Sequence, residues 1–377
     1  MNNKCPISIL RLEKGRITAL QLAFLIITLV ISTADVFAPK FIALEARQDS
    51  WIAVIIGTAF SLFSVFLLLS LGLKYPDKTL FQYTCDILGN FLGKIVCFIY
   101  LFYFIHIAWT VNRELGEILV TALNPEAPIM IYNTTTVLVA AYAVYMGIEV
   151  IARINGITLP IGLAILAFVF VVNLPKVDLG NFLPILYDGI APPVRGALLI
   201  QGWLLEAVLI LQLIPITRDT ERIKRNTLLS IVVLGISMEL GVFTIAIFGP
   251  LTEQFLFPAL EYVRFASLGR FLENLDISIM GVWIIGIFVK VSLFYYIAVV
   301  ATAQLFNLKS YKYMIAPVGV LISCLSTVTG ESIIDIMHFI HFIFPLYSLT
   351  IGFIIPGLLL LVSVIRRKPP IAHSSAK

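Results

Sequence analysis

The chain has 377 residues, of which 60% are hydrophobic and only 13% charged, and its mean hydropathy is +1.00. Soluble domains carry about 25% charged residues, so this composition excludes a soluble globular protein and leaves little chain for a separate soluble domain. The formal net charge of +4 reflects the loops between apolar segments rather than a nucleic-acid surface.

The apolar residues gather into segments long enough to span a bilayer as helices, without the strict alternation of a β-barrel, so the chain reads as an all-α membrane protein. Residues 1–16, with Lys4, Arg11, Lys14 and Arg16, resemble the basic start of a signal peptide. The segment after them is too long and shows no small-residue cleavage pattern, so they read as a tail before an uncleaved first span. Ten transmembrane helices follow, at about 17–46, 51–74, 92–122, 132–148, 155–174, 197–217, 227–249, 276–305, 312–329 and 337–365. A basic tail, 366–377, closes the chain.

Span one runs into Ser32-Thr33-Ala34-Asp35 and then Pro39-Lys40, where the helical pattern is expected to break. A broken helix at membrane depth survives only where protein or a wet cavity satisfies its backbone, and a charge there is by default a functional residue. Asp35 is either a carboxylate for a ligand amine or a proton, or the N-cap of an outer half-helix.

Span three carries a polar stripe, Tyr103, His106, Thr110, Arg113 and Glu117, at steps of three and four that put it on one face. Arg113 and Glu117 are placed to pair along the helix. The stripe is either interhelical hydrogen bonding or a wall of a site with an outer gate.

Span six repeats the oddity of span one: Gln201-Gly202-Trp203 and Glu206 interrupt its apolar run, and Pro215 stands near its end. With five spans per half, the second half enters from the opposite side. That is the topology of a five-plus-five inverted-repeat transporter fold with broken helices one and six, in a single membrane domain, 17–365. Repeat one takes about 17–174 and repeat two about 197–365.

The loop at 250–275 alternates Phe255, Phe257, Leu260, Val263, Phe265 and Leu268 with Glu253, Glu261, Arg264 and Arg270, as one or two interfacial helices would. Lys290 then lies mid-span in span eight, too deep for easy snorkelling, and requires a carboxylate; Asp35 is the first candidate, then Glu206 and Glu239. Glu239 reads first as structural, and His338 and His341 belong near the outer end of the last span.

Lys and Arg crowd one set of span ends (Arg11, Arg16, Lys74, Lys78, Arg222, Lys309) and are sparse at the other, which puts both termini in the cytoplasm and agrees with an even number of spans.

Cys5, Cys85, Cys97 and Cys324 have neither metal-site nor redox spacing and read as reduced thiols. Gly89-x-x-x-Gly93 falls in a polar stretch and is discounted as a packing motif. Asn133-Thr134-Thr135 matches a glycosylation sequon by coincidence. There is no Walker loop, GxGxxG, HExxH or nucleophile elbow, so no enzyme chemistry, cofactor or metal is expected.

Several stretches, in this order and spacing, resemble one family. They are Ile31 to Pro39, Gln48-Asp49-Ser50-Trp51, Tyr75 to Tyr83 with Ile87-Leu88-Gly89, Gly147 to Arg153, Asn181 to Pro184 and Phe248-Gly249. The chain resembles the B subunits of bacterial spore germinant receptors, the spore germination permeases of the amino acid–polyamine–organocation superfamily. The resemblance implies a multi-pass subunit in the bacterial cell membrane or spore inner membrane, beside an A subunit and a lipoprotein C subunit. It implies recognition of a small germinant, an amino acid, through spans one, three, six and eight. Carried over, the ligand-binding positions are Ser32, Thr33, Ala34, Tyr103, Ile107, Gly202, Glu206, Val289 and Lys290, with Asp35 beside them. Unlike its relatives, the stretch Ser32–Asp35 holds no glycine, and Glu273-Asn274-Leu275-Asp276 lacks an arginine.

The leading expectation is a germinant sensor that signals by a conformational shift. The alternative is a proton-coupled amino acid or amine transporter using Asp35 and Lys290 as its coupling pair. A pure scaffold is disfavoured, because it would gain stability by losing its buried charges.

Overall fold

A computed structural model describes residues 6–122, 124–266, 275–330 and 332–366. Cys5, Leu268, Arg270, Glu273, Asn274 and the tail beyond Arg366 lie outside them. Nine helical stretches among the described residues are long and apolar enough to cross a membrane, and the first, Ala19–Gly72, contains two helices, so the chain is a multi-pass protein with ten spans. These are α1 (Ala19–Ala46), α2 (Ser50–Gly72), α3 (Asn90–Ala122), α4 (Ile129–Met146) and α5 (Ile148–Asn173). After them come α6 (starting as Ala191–Leu204), α7 (Thr220–Phe248), α8 (Leu275–Leu305), α9 (Ile315–Val328) and α10 (starting as Ile333–His338 and continuing to Ile365).

Local chemistry sets the ends. Thr18 caps α1 in a reciprocal box: its hydroxyl accepts from Gln21 N at 3.1 Å, and Gln21 Oε1 accepts from Thr18 N at 2.9 Å. Gly147, at φ +94°, makes the sharp α4–α5 turn in the left-handed region, where a side chain would be strained. In the loop after α7, the chain forms a 3-10 turn at Gly249–Gln254 and a short helix at Pro258–Phe265. Gly93 corrects the discounted motif. A Cβ there would lie 2.6 Å from Cys85 Cα, so this glycine lets the helix Leu80–Leu88 cross α3 closely. Asn133 is fully buried, donates to Ser326 O at 2.9 Å, and is inaccessible for glycosylation.

Helix α1 overturns one expectation: it is α-helical without interruption from Ala19 to Ala46, straight through Ser32–Asp35. What remains of the break is one missing hydrogen bond, because Pro39 has no N–H to give the carbonyl of Asp35. Helix α6 is broken as expected. After Leu204 the chain tightens into 3-10 turns at Leu205–Leu209, recovers one α-turn at Ile210–Leu213 and ends in a 3-10 turn at Ile214–Ile216. The last span answers it with π-helical turns at Phe339–Ile343 and Thr350–Ile354. Gly352 in the second meets the break directly: a Cβ there would lie 2.7 Å from Leu205 Cβ and 2.8 Å from its carbonyl oxygen.

The centre of the bundle is α6 and α8, 94% and 78% buried in their most apolar stretches, against 22–44% for the other spanning stretches. At one end the N-terminal segment is strapped across the bundle. Ile17 N donates to Ile216 O, Arg218 N to Ile17 O, and Arg16 Nη1 to Pro215 O. Glu13 accepts from the hydroxyls of Tyr296 (3.1 Å) and Tyr311 (3.3 Å). At the other end Glu45 joins Arg195 (2.8 Å) and His341 (3.0 Å).

Candidate functional site

Two polar centres lie along α1, on different faces. A straight helix turns about 100° per residue, so positions 33 and 35 point about 200° apart. Thr33 faces α6 and α8; Ser32 and Asp35, separated by one short turn, face α5 and α8.

The first centre is an ion pair at the break in α6. Lys290 Nζ lies 2.7 Å from Glu206 Oε2 and donates to Thr33 Oγ1 at 2.8 Å, and both charged side chains are only 1% exposed. Glu206 stands in the 3-10 turn after Leu204, so the charge sits where α6 leaves α-helical geometry. Just before that turn Gln201 anchors α6 to α2, donating to Gly57 O at 2.6 Å and accepting from Ser61 Oγ at 2.8 Å. Three spans, α1, α6 and α8, are thus tied at one buried point. The partner is corrected, however. Lys290 pairs with Glu206, whereas Asp35 and Glu239 form no ion pair among the described residues. Helical continuity explains this, since it turns Asp35 away from the face that carries Thr33.

Span three adds a wall. Tyr103 is fully buried, its ring packed edge-on against Tyr347 at 5.2 Å. Its hydroxyl is near Ser348 Oγ, but neither oxygen is in hydrogen-bonding geometry. Ile107 and Val289 are buried core residues. Gly202 is closed off, because a Cβ there would lie 2.7 Å from the ring of Phe344. Arg113 and Glu117 pair as expected: Nε and Nη2 of Arg113 donate to Glu117 Oε1 at 2.9 and 2.6 Å. Ala34 is buried beside a small gap against α7.

The reading of the sequence missed Glu114. It is 5% exposed, within electrostatic range of Lys290 and Glu206, and one of its oxygens has no hydrogen-bond partner. A signal existed: Glu114 lies eleven residues after Tyr103, three helical turns on nearly the same face. The polar stripe through His106 and Arg113 runs on a neighbouring line of the helix and bypasses it.

The second centre is a cavity of about 120 Å³ between α1, α5 and α8, with Asp35 and Ser32 on its wall. Gly286 of α8 meets α1 here: a Cβ on it would lie 3.1 Å from Ser32 Cβ. Glu239, on α7, is partly buried, and one carboxylate oxygen is without a partner. No cluster of three or more His, Cys, Asp or Glu among the described residues has metal-holding geometry.

A structure of Mhp1, a nucleobase-cation-symport-1 family transporter in a closed conformation with bromovinylhydantoin bound, superposes with a TM-score of 0.71 at 14% identity, covering 97% of this chain and 82% of that one. MhsT in complex with L-phenylalanine gives 0.65 at 12% identity, covering 93% and 90%. The architecture is therefore the five-plus-five inverted-repeat fold of these transporters. Among curated proteins, spore germination protein KB of Bacillus subtilis (strain 168) is 30% identical over 95% of this chain and 97% of its own length. Spore germination protein YndE of the same organism is 22% identical over 90% and 96%. Spore germination protein XB of Bacillus anthracis is 24% identical over 66% and 70%. The family model described as "Spore germination protein" matches residues 16–334, and with a relative of this identity along nearly its whole length, the chain belongs to the spore germination protein family of membrane permeases.

Proposed function

We propose that this chain is the membrane-embedded sensing subunit of a spore germinant receptor. It binds a small molecule, an amino acid, at the bilayer midplane and passes the event on as a shift between two helix arrangements. The observation that carries the reading is the Glu206–Lys290–Thr33 crossing at the interruption of α6, in a member of a germination family. A buried pair at a helix break holds three spans in one arrangement; moving α6 separates the charges, so the two arrangements are discrete. A ligand shifts that equilibrium only as far as its affinities for the two states differ.

In this reading residues 17–365 form one domain of two inverted repeats, about 17–174 and 197–365. The chain lies in the bacterial cell membrane or spore inner membrane with both termini cytoplasmic. An A subunit and a lipoprotein C subunit read its state, and neither cofactor nor nucleic acid takes part.

The second reading is a proton-coupled amino acid or amine transporter, favoured by the likeness to transporter folds. The two separate on purified protein in liposomes. Binding of labelled amino acids without uptake supports the sensor. Accumulation driven by a pH gradient, lost in Lys290→Met, overturns it in favour of transport.

A further inference from the structure

A carboxyl stands on the outer side of α7 at membrane depth. Glu239 follows Val232 and Ile236, 41% and 58% exposed, at steps of seven and three, so it borders the helix face turned to the lipid. It is half-buried, its Oε1 is shut in without a hydrogen-bond partner, and it forms no ion pair among the described residues. At 1.5 Å per residue it lies about 21 Å along α7 from Arg225 and about 14 Å from Phe248, too deep for a lipid headgroup to reach. Hydrocarbon has nothing to offer a carboxyl, so an acid at this depth marks a contact that function requires.

The neighbouring helix supplies a second orphan. A Cβ on Gly235 would lie 2.6 Å from Thr58 Oγ1, so α7 and α2 pack closely there, and that hydroxyl is likewise buried without a partner. Helices α1 and α7 both start at the strapped end, on either side of the Ile17–Arg218 bridge, and so run parallel. Helix α2 returns from α1 and is antiparallel to α7. About one turn beyond Gly235 is Glu239; the same step on α2 leads from Thr58 back to Ile55, which is 53% exposed. Gly235 and Thr58 therefore floor a shallow furrow flanked by Ile55 and Ile236, with Glu239 at its rim.

Only a helix can fill a furrow at this depth, because in hydrocarbon a backbone must satisfy its own polar groups, and a small floor lets that helix come close. Glu239 requires a donor from it, and a cation makes the strongest bond to a carboxylate. A second copy of this chain has none to give among the described residues. Lys290 holds Glu206, Arg113 holds Glu117, and Lys40 donates to the carbonyls of Glu253 and Phe255.

We propose that the furrow between α2 and α7 is the docking surface for a transmembrane helix of another subunit, one that presents a lysine or arginine to Glu239 at mid-membrane, with Thr58 Oγ1 as a further acceptor. The inference deepens the reading of this chain as one subunit of a receptor, and rests on it.

The test uses the purified full-length chain, carrying a donor dye, in lipid nanodiscs. The probe is an acceptor-labelled synthetic transmembrane helix of leucine and alanine with one central lysine; its control has leucine in place of that lysine. Energy transfer should show the lysine helix binding about fivefold or more tighter than the control. Glu239→Gln, which keeps the shape and removes the charge, should bring the two probes within about twofold of each other. Thr58→Val should roughly halve the preference. Asp35→Asn, which removes the other membrane carboxyl without an ion pair, should leave it unchanged. Loss of the preference in Glu239→Gln with retention in Asp35→Asn is not produced by misfolding, and the thermal midpoint of Glu239→Gln should match the wild type. If the lysine helix shows no preference, or keeps it in Glu239→Gln, the assignment is wrong, while amino-acid binding by the same nanodiscs leaves the sensor reading intact. If Glu239→Gln instead abolishes energy transfer between donor- and acceptor-labelled copies of the chain, the furrow joins two copies and the assignment to another subunit is overturned.

Discussion

Replacing Lys290 by methionine keeps most of the side-chain volume and removes the ammonium. At 2.7 Å, the attraction to Glu206 amounts to about 6 kcal/mol at an effective dielectric of roughly 20. Taking two such groups out of water costs several kcal/mol each, so the pair as a whole contributes little net stability. Breaking it is a different matter. Lys290→Met strands a carboxylate that is 1% exposed, deprives Thr33 Oγ1 of its donor, and leaves Glu114 without a nearby cation. The expected loss is about 3–5 kcal/mol, whereas the double variant Lys290→Met, Glu206→Leu should fall near the wild type. Thermal unfolding of detergent-purified variants gives the comparison. A double-mutant cycle over Lys290→Met, Glu206→Leu and the combination should return a coupling of at least about 2 kcal/mol. A Lys290→Met protein as stable as the wild type, with no coupling to Glu206, would refute the argument that this crossing holds α1, α6 and α8 together.

Gly352→Ala should destabilise by about 1–3 kcal/mol, because its Cβ would press on the backbone of Leu205; Gly202→Ala meets only the ring of Phe344, which can shift, and should cost less in the same unfolding measurement. Equal costs would show that the π-turn and the 3-10 turn are not locked together. Arg113→Met leaves the Glu117 carboxylate without the two bonds at 2.6 and 2.9 Å and should cost about 3–5 kcal/mol, seen as a lower midpoint. Tyr296→Phe together with Tyr311→Phe removes both hydroxyl donors to Glu13, about 1.5–3 kcal/mol each, and should speed tryptic cleavage at Arg11, Lys14 and Arg16. Unchanged cleavage would mean that the backbone bridge at Ile17 holds the strap alone.

Much of the fold was legible from composition and period. Ten apolar stretches separated by basic loops can only be helices crossing a bilayer, since the hydrocarbon leaves no other partner for backbone groups. The α6 interruption showed itself through Gln201, Gly202 and Glu206, residue types that an apolar run has no local reason to carry. The supposed break at Ser32–Asp35 showed the same signs and was not one. Polar side chains on a helix that is buried by its neighbours need no backbone break, and Pro39 removes only one hydrogen bond.

That misreading also hid the pairing. Once a helix is assumed broken, its phase is lost, and phase is what separates Thr33 from Asp35. The sequence by itself determined that Lys290 must have a buried partner, because a lone ammonium at that depth is too costly. It could not say which carboxylate, because Glu206, Asp35 and Glu239 lie 84, 255 and 51 residues away along the chain and only packing brings one of them within reach. Tertiary structure decided that Glu206 meets Lys290, that Glu114 joins their field, and that Asp35 turns instead to a cavity with Ser32 and Trp283. Hydropathy and helical period are properties of neighbours in sequence, whereas the face a helix shows, and what stands opposite, depend on distant spans packed around it.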